Sequence, residues 1–322
     1  MTKGLIKTLK RWRENYYLSQ ILSSSAKPVY ALCSSVTRQI QTKIRRNGAA
    51  IRLPNGKTMR VAKDAGISLA SILYWQGPAG VEPETSRTLS FFFERSEVFV
   101  DVGANYGLYS ILAALWNPNL RIVAFEPLNP IYECLRKNVT INHLEDRVTC
   151  ENLALSNRSG SATFYLPPSE GKDLESTGTL SQNSWQVRQH AKPLQVQAIR
   201  FDDYESGHPM RVDLIKIDVE DFEADVIQGM AGIIRRDRPF IVCEILPRNR
   251  EHKNERTRQV LQALDYAAYW ITPSGYIRVT RFDFEREFTN FLLSPVSIPG
   301  EILADPSPLW QLKQRQFRAV VA

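Results

Sequence analysis

A chain of 322 residues that is 43% hydrophobic and 10% aromatic can bury a substantial core, which fits one large α/β domain with extensions better than two equal domains. Its four cysteines, Cys33, Cys134, Cys150 and Cys243, are far apart and form no Cys-x-x-Cys pair, so neither a disulfide framework nor a zinc site is indicated, and a reducing compartment fits. The net charge is +7, no run approaches the roughly 18 apolar residues of a spanning helix, and the amino terminus lacks the apolar core of an export signal, so a cytoplasmic location is expected.

The charge is concentrated at one end. Residues 1–60 hold thirteen Lys or Arg against Glu14 alone, which leaves the rest of the chain net acidic. Leu5, Leu9, Trp12 and Tyr16 recur at helical spacing while Lys3, Lys7, Lys10, Arg11 and Arg13 take other faces. That pattern suits a short helix over residues 1–25 in peripheral contact with an anionic membrane. A basic helix docked on its own domain, or a disordered arm, is the alternative reading. No recognised binding module accompanies the charge, so nucleic acid is not an expected partner.

After the arm, Ile51 to Val61 reads as a hairpin with Asn55-Gly56 at its turn. From residue 97 short apolar runs alternate with helical patterns: strand 98–102, helix 106–116, strand 121–126, helix 130–141 and strand 148–154. Asn129 and Pro130 make a cap and first-turn pair for the second of these helices. Residues 168–193 are polar and turn-rich, an insertion or lid in which Trp185 could offer a platform to a sugar ring; a mobile surface loop is the alternative. Pattern resumes with strand 194–201, strand 212–219, helix 222–236, strand 239–245 and helix 254–267. Trp270, Tyr276 and Ile277 to Thr280 suggest a final antiparallel hairpin around Ser274-Gly275. The alternation predicts a doubly wound, mostly parallel α/β sheet of Rossmann-like type.

Two segments carry chemistry. In the first, Val98-Phe-Val-Asp101-Val-Gly103-Ala-Asn105-Tyr106-Gly107, an apolar strand ends in a carboxylate and a small-residue turn leads into a helix. The next strand ends in Glu126-Pro127, near the spacing at which an acidic residue receives ribose hydroxyls. Asn105 replaces the middle glycine of the dinucleotide fingerprint, and the sixth-position glycine is also absent, which counts against a nicotinamide-dependent oxidoreductase. The turn alone is also compatible with an ordinary strand-to-helix connection; Glu126 is what favours a nucleoside cofactor.

The second segment is Val212-Asp213-Leu-Ile-Lys216-Ile-Asp218-Val-Glu220-Asp221-Phe-Glu223. Leu214, Lys216, Asp218 and Glu220 point to one side of the strand. A lysine inside a central strand needs partners, and Asp218 and Glu244, the latter on the expected adjacent strand, are the candidates. A buried salt bridge without catalytic duty gives the same pattern. The carboxylates from Asp218 to Glu223 could hold Mg²⁺, but nothing in their spacing fixes such a geometry, and no metal is expected.

These motifs together, Asp101-Val-Gly103-Ala-Asn105-Tyr106-Gly107, Phe125-Glu126-Pro127, Asp213-Leu-Ile-Lys216-Ile-Asp218-Val-Glu220, Gly229, Pro239 and Glu244, resemble the FkbM-type S-adenosylmethionine-dependent methyltransferases. The resemblance spans residues 70 to 295 and implies the class I methyltransferase fold with a seven-stranded sheet. It places Asp101, Gly103, Asn105, Tyr106 and Gly107 around the methionine end of S-adenosyl-L-methionine and Glu126 on its ribose. Asn152 to Ser156 match the region near adenine. Asp221 stands where the family commonly has glycine; an aspartate there can cap the next helix, and the departure raises a second reading, a cofactor-binding scaffold with impaired catalysis.

On this basis the chain divides into a basic extension (1–48), a lead-in with hairpin and helix (49–96), a methyltransferase catalytic domain (97–297) and a tail (298–322). The implied reaction is methyl transfer to a hydroxyl of a sugar, glycolipid or related natural product. Asp218 is the first candidate for base or acceptor anchor, also adjoining the cofactor; Glu220, Glu244 and Lys216 complete the expected catalytic set, with His143 and His190 as outside candidates.

Overall fold

The computed structural model describes residues 47–77, 80–166, 179–181, 191–246, 251–282, 289–297, 302–309, 311 and 313. The expected helix over residues 1–25, Trp185 and His190 lie outside the described residues, as does most of the 168–193 segment. Strands β1 (Ala49–Arg52) and β2 (Thr58–Val61) form the expected hairpin, with Ala49 opposite Val61. Gly56 at its tip takes φ 82°, where a side chain would be strained. Helices α1 (Ile67–Gln76) and α2 (Pro83–Phe93) follow. Pro83 occupies the first turn of α2, where its missing N–H has no partner to lose, and Thr88, Leu89, Phe92 and Phe93 are buried.

The alternating pattern then appears in the order the periodicity predicts: β3 (Val98–Val102), α3 (Leu108–Trp116), β4 (Arg121–Phe125), α4 (Asn129–Ile141) and β5 (Val148–Glu151). Strands β6 (Ala154–Leu155), β7 (Gly160–Leu166) and β8 (Lys192–Ile199) make a separate small sheet. Helix α5 (Phe201–Gly207), β9 (Leu214–Ile217), α6 (Glu223–Gly229), α7 (Ala231–Asp237), β10 (Phe240–Glu244), α8 (Glu251–Ala263), β11 (Ala267–Thr272), β12 (Gly275–Val279), β13 (Asn290–Ser294) and β14 (Ile302–Leu303) complete the described elements. The main sheet runs β14-β12-β11-β13-β10-β9-β3-β4-β5, parallel from β10 through β5. Strand β13 is antiparallel to both of its neighbours, β10 and β11.

Continuous apolar runs form these central strands because both faces of the sheet are covered. Leu89, Phe92, Phe99, Ile111 and Leu135 pack in one buried layer, which Leu53, Met59 and Leu73 of the lead-in segment join. On the other face Phe125, Phe201, Tyr204, Ile215, Ile217 and Ile233 form a second layer. Fully burying each such side chain stabilises the fold by roughly 1.5–3 kcal/mol.

The structure departs from the sequence expectations at several points. Among the described residues the main sheet has nine strands rather than seven, because β12 pairs along β11 in the expected hairpin and β14 pairs along β12, extending that edge. The run expected as one helix over 222–236 is two, broken at Met230, whose φ of −121° is not helical. At the end of α6, Gly229 passes so close to the chain below that a Cβ would sit 1.9 Å from the Ser156 carbonyl oxygen. The strand expected over 148–154 stops at Glu151, and Ala154–Leu155 joins the small sheet instead. Asn129 is the first residue of α4 rather than its cap; Leu128 holds that position and donates its N–H to Glu126 Oε1 at 2.9 Å. The 168–193 segment is the connection of an antiparallel hairpin, β7 against β8, and its Thr179 pairs back onto Tyr165.

Candidate active site

Parallel β3 and β4 end side by side, with Val102 opposite Phe125, and the chain turns sharply after each. Gly103 at φ 77° passes against the end of β9, where a Cβ would lie 2.0 Å from the Asp218 carbonyl oxygen. Only glycine fits that crossing. The N–H groups of Gly103 and Ala104 both donate to the Phe125 carbonyl, at 3.0 and 2.9 Å. Asn105 adopts φ 53° and donates its N–H to Glu126 Oε2 at 3.0 Å. Gly107, at φ 87°, starts α3 and leaves the space that Leu135 Cδ1 fills, 2.5 Å from where its Cβ would be.

Glu126 thus bridges the glycine loop and the β4–α4 turn through one oxygen each. Burial pushes its pKa up to about 7, although the N–H groups of Leu128 and Asn105 pull it down. Those donors leave lone pairs on both oxygens for further hydroxyl donors.

Beside it, Asp101 is 1% exposed and accepts from Ser110 Oγ at 2.6 Å. Burial raises its pKa, and Lys216, directly opposite on β9, pulls against that. Lys216 Nζ donates to Asp218 Oδ2 at 2.9 Å and lies 4.9 Å from the centre of the Tyr109 ring. Burial would lower the lysine, but Asp218, Asp101 and Glu82 outweigh it and hold its pKa above the ordinary range. Asp218 stays below the usual carboxylate range because Lys216 and a hydrogen bond from Glu244 overcome its own burial. Glu244 is pushed up to about 9 by burial and by Asp218, and it also accepts from Thr289 Oγ1 at 2.7 Å. Near neutrality the Asp218–Glu244 pair therefore shares a single proton.

These strand ends open into a cavity of about 270 Å³, lined by Gly103, Asn105, Glu126, Asp218, Glu220 and Glu244 among its polar groups. Phe125, Leu153, Leu155, Phe164, Leu180 and Phe222 supply apolar walls. The remaining expected residues stand behind the cavity rather than in its lining. Lys216 is buried, pairs with Asp218 and attracts Asp101; its expected partner Glu244 bonds Asp218 instead. Tyr106 packs on Gly66 and its carbonyl accepts from Asn138 at 2.9 Å. Asn152 donates to the Glu126 and Pro127 carbonyls at 2.9 and 3.1 Å, so it braces the turn while its neighbours Leu153, Ala154 and Leu155 reach the cavity. His143 is an exposed turn residue at φ 56°. Asp221 does not cap α6: Phe222 holds the cap position, and Glu223 Oε1 reaches back to accept the Asp221 N–H at 2.9 Å.

Sequence reasoning missed Glu82. It lines the cavity from the turn into α2 and accepts from the Tyr109 hydroxyl at 3.0 Å. An acid before Pro83 reads locally as a helix-start residue, so only the packing of α2 against α3 reveals it. Phe164, Leu180 and Phe222 had no local signal either. Among the described residues Asp218, Glu220 and Glu244 bring carboxylate oxygens within 4.8 Å of one another, and the lysine and the shared proton offset two of the three charges.

A nucleoside ligand with a charged chain fits this lining. Asn105 Oδ1 in the lining, and Asp101 Oδ1 behind it, are buried without a hydrogen-bond partner among the described residues, the missing Cβ of Gly103 lets backbone approach closely, and the apolar walls suit a flat base. The strand order β5-β4-β3-β9-β10-β13-β11, with β13 reversed, is that of the class I methyltransferase fold. A methyltransferase FkbM domain matches residues 101–270, more than half of the chain, and the protein belongs to that family.

Among its relatives, methyltransferase sdnD of Sordaria araneosa is 30% identical over 155 residues, covering 41% of this chain and 59% of that one. The 31-O-demethyl-FK506 methyltransferase FkbM of Streptomyces tacrolimicus is 27% identical over 156 residues, covering 42% of this chain and 59% of that one. The alignments thus span about three fifths of these relatives' lengths. A solved methyltransferase FkbM from Methylobacillus flagellatus KT is similar with 14% identity and a TM-score of 0.41, covering 81% of this chain and 60% of that one. Glu82 and Thr289, at either end of the polar network, lie outside the matched segment.

Proposed function

We propose that this protein is an S-adenosylmethionine-dependent O-methyltransferase that acts on a hydroxyl of a small molecule, a sugar, glycolipid or related natural product. The observation that carries the reading is the convergence of the Gly103–Asn105 loop, Glu126 and the Asp218–Glu244 pair on one cavity. S-adenosylmethionine, when bound, supplies an electrophilic methyl group. In this reading Glu126 receives the ribose hydroxyls and the glycine loop accommodates the amino-acid end.

Asp218 is then held as an anion by Lys216, in the lining of the same cavity, and accepts the hydrogen bond of the acceptor hydroxyl as it attacks. Glu244, protonated near neutrality, donates to Asp218 and aligns it, and Asp218, with Glu220 beside it, is placed to take up the acceptor's proton as the oxygen attacks. Most of the rate enhancement in such a site comes from alignment, which can contribute several kcal/mol. A relative named for methylating 31-O-demethyl-FK506 supports oxygen as the accepting atom.

The test is methyl transfer from radiolabelled cofactor to a panel of sugars, glycolipids and polyketides, with Asp218→Asn as the comparison. Turnover should fall by about 10²-fold or more while binding of S-adenosylhomocysteine, followed by calorimetry, stays intact. Unchanged turnover removes Asp218 from the chemistry. Asp221, which holds at φ 81° the position where the resemblance implies glycine, prompts the second reading of a scaffold with impaired catalysis; binding without product from any acceptor would select it.

Among the described residues no helix is long and apolar enough to cross a membrane. Peripheral contact through residues 1–25 rests on their charge pattern, and equal flotation of the full chain and a chain lacking them with anionic liposomes would end it.

A further inference from the structure

The cavity is lined by Glu82, Glu126, Asp218, Glu220 and Glu244, and among the described residues no Lys, Arg or His reaches its lining. A cofactor whose chain ends in an amino acid brings an ammonium group into that space, and a charge taken out of water needs a matched partner. Most of the carboxylates are already committed. Glu126 holds two backbone N–H groups at the ribose side. Asp218 is bound to Lys216 and Glu244, Glu244 also accepts from Thr289, and Glu220 brings a carboxylate oxygen within 4.8 Å of that pair.

Glu82 is different in both origin and setting. It sits at φ 42°, a conformation unusual for a residue with a Cβ, and its carbonyl accepts the Ser86 N–H at 2.9 Å, which fixes the turn into α2. Its Oε2 accepts from the Tyr109 hydroxyl at 3.0 Å, leaving Oε1 available to a ligand. Tyr109 lies in the first turn of α3, two residues after Gly107, so the carboxylate is tied to the element that the glycine loop leads into. The Tyr109 ring in turn covers Lys216.

We propose that Glu82, supplied from outside the matched domain, is the counter-ion of the cofactor's α-ammonium group, with Tyr109 as its positioning residue. This rests on the S-adenosylmethionine reading. It makes the lead-in segment part of the cofactor site rather than a covering for the core, and it assigns recognition of the amino-acid end to a residue remote in sequence from the glycine loop.

The test compares two nucleosides by calorimetry: S-adenosylhomocysteine, and 5′-methylthioadenosine, which keeps the adenosyl sulfur but lacks the amino-acid chain. A charge-assisted hydrogen bond is lost in Glu82→Gln, so this variant should bind S-adenosylhomocysteine about tenfold or more weakly and bind 5′-methylthioadenosine within about twofold of the parent. Tyr109→Phe should show the same selectivity with a smaller loss, and it serves alone if Glu82→Gln melts far below the parent. Equal weakening of both nucleosides, or none of either, overturns the proposal. A parent protein that binds neither nucleoside overturns the cofactor reading itself, and this assignment with it.

Discussion

Replacing Asp221 by glycine tests both the backbone and the charge of the β9–α6 turn. Asp221 is 8% exposed at φ 81°, next to Glu220 at φ 52°, in the position where the family commonly has glycine. A left-handed conformation costs a residue with a Cβ about 1–2 kcal/mol, somewhat less for aspartate. Glycine escapes that strain but gives back about 0.5–1 kcal/mol through the freedom it adds to the unfolded chain. The backbone part of Asp221→Gly should therefore be close to neutral or a gain of about 0.5 kcal/mol at any pH. The charge part depends on Glu223, which burial first and Asp221 to a lesser degree help push up to about 8, against its hydrogen bonds.

A raised carboxyl contributes stability that is complete below its unfolded value and is lost as pH rises through its folded one. For Glu223 that window runs from the ordinary 4.5 to about 8. Removing Asp221 lowers the upper limit, so the gain from Asp221→Gly should grow between pH 6 and pH 9. Urea denaturation at both values, read as a shift in midpoint at constant slope, measures it. Asp221→Ala keeps the Cβ and should be about 1 kcal/mol less stable than Asp221→Gly. Asp221→Asn should retain only the pH-dependent part. An alanine variant as stable as the glycine variant, or a gain that does not change with pH, would refute the reasoning.

Gly103→Ala should be among the most damaging single substitutions in the chain, because its Cβ would meet backbone, the Asp218 carbonyl oxygen at 2.0 Å, and cannot be relieved by a rotamer change. A loss of about 3 kcal/mol or more, or β3 displaced from β9, is expected in urea melts, together with loss of S-adenosylhomocysteine binding. Glu126 gives a pH signature: ribose hydroxyls donate to its ionised form, so affinity for S-adenosylhomocysteine should rise with pH and level off above about 7. Glu126→Gln should bind weakly at all pH values and lose that dependence between pH 5 and 7; a parent whose affinity is flat across this range would show that Glu126 does not contact the ligand.

Local sequence was sufficient for the parallel core and one wall of the site. A fully buried strand must be apolar throughout, a strand-to-helix turn at φ 77° demands glycine, and a carboxylate at the next strand end is legible from spacing alone; β3 to β5, Gly103, Asn105 and Glu126 follow from these rules. Lys216 announced its need of a partner because an isolated charge cannot stay buried. Which carboxylate would answer was settled only by the fold, since Asp218 takes the lysine and Glu244 comes to it across β10 with Thr289 behind.

Tertiary packing also decided what no local pattern encodes. Asn152 turned inward to brace a turn while Leu153 and Leu155 took the cavity wall, and one expected helix became two where Gly229 meets Ser156. Glu82 entered the site from a helix whose own sequence points only to its start. Periodicity and turn chemistry act over a few residues, whereas the side chains that converge on a cavity are chosen by contacts between segments far apart in the chain.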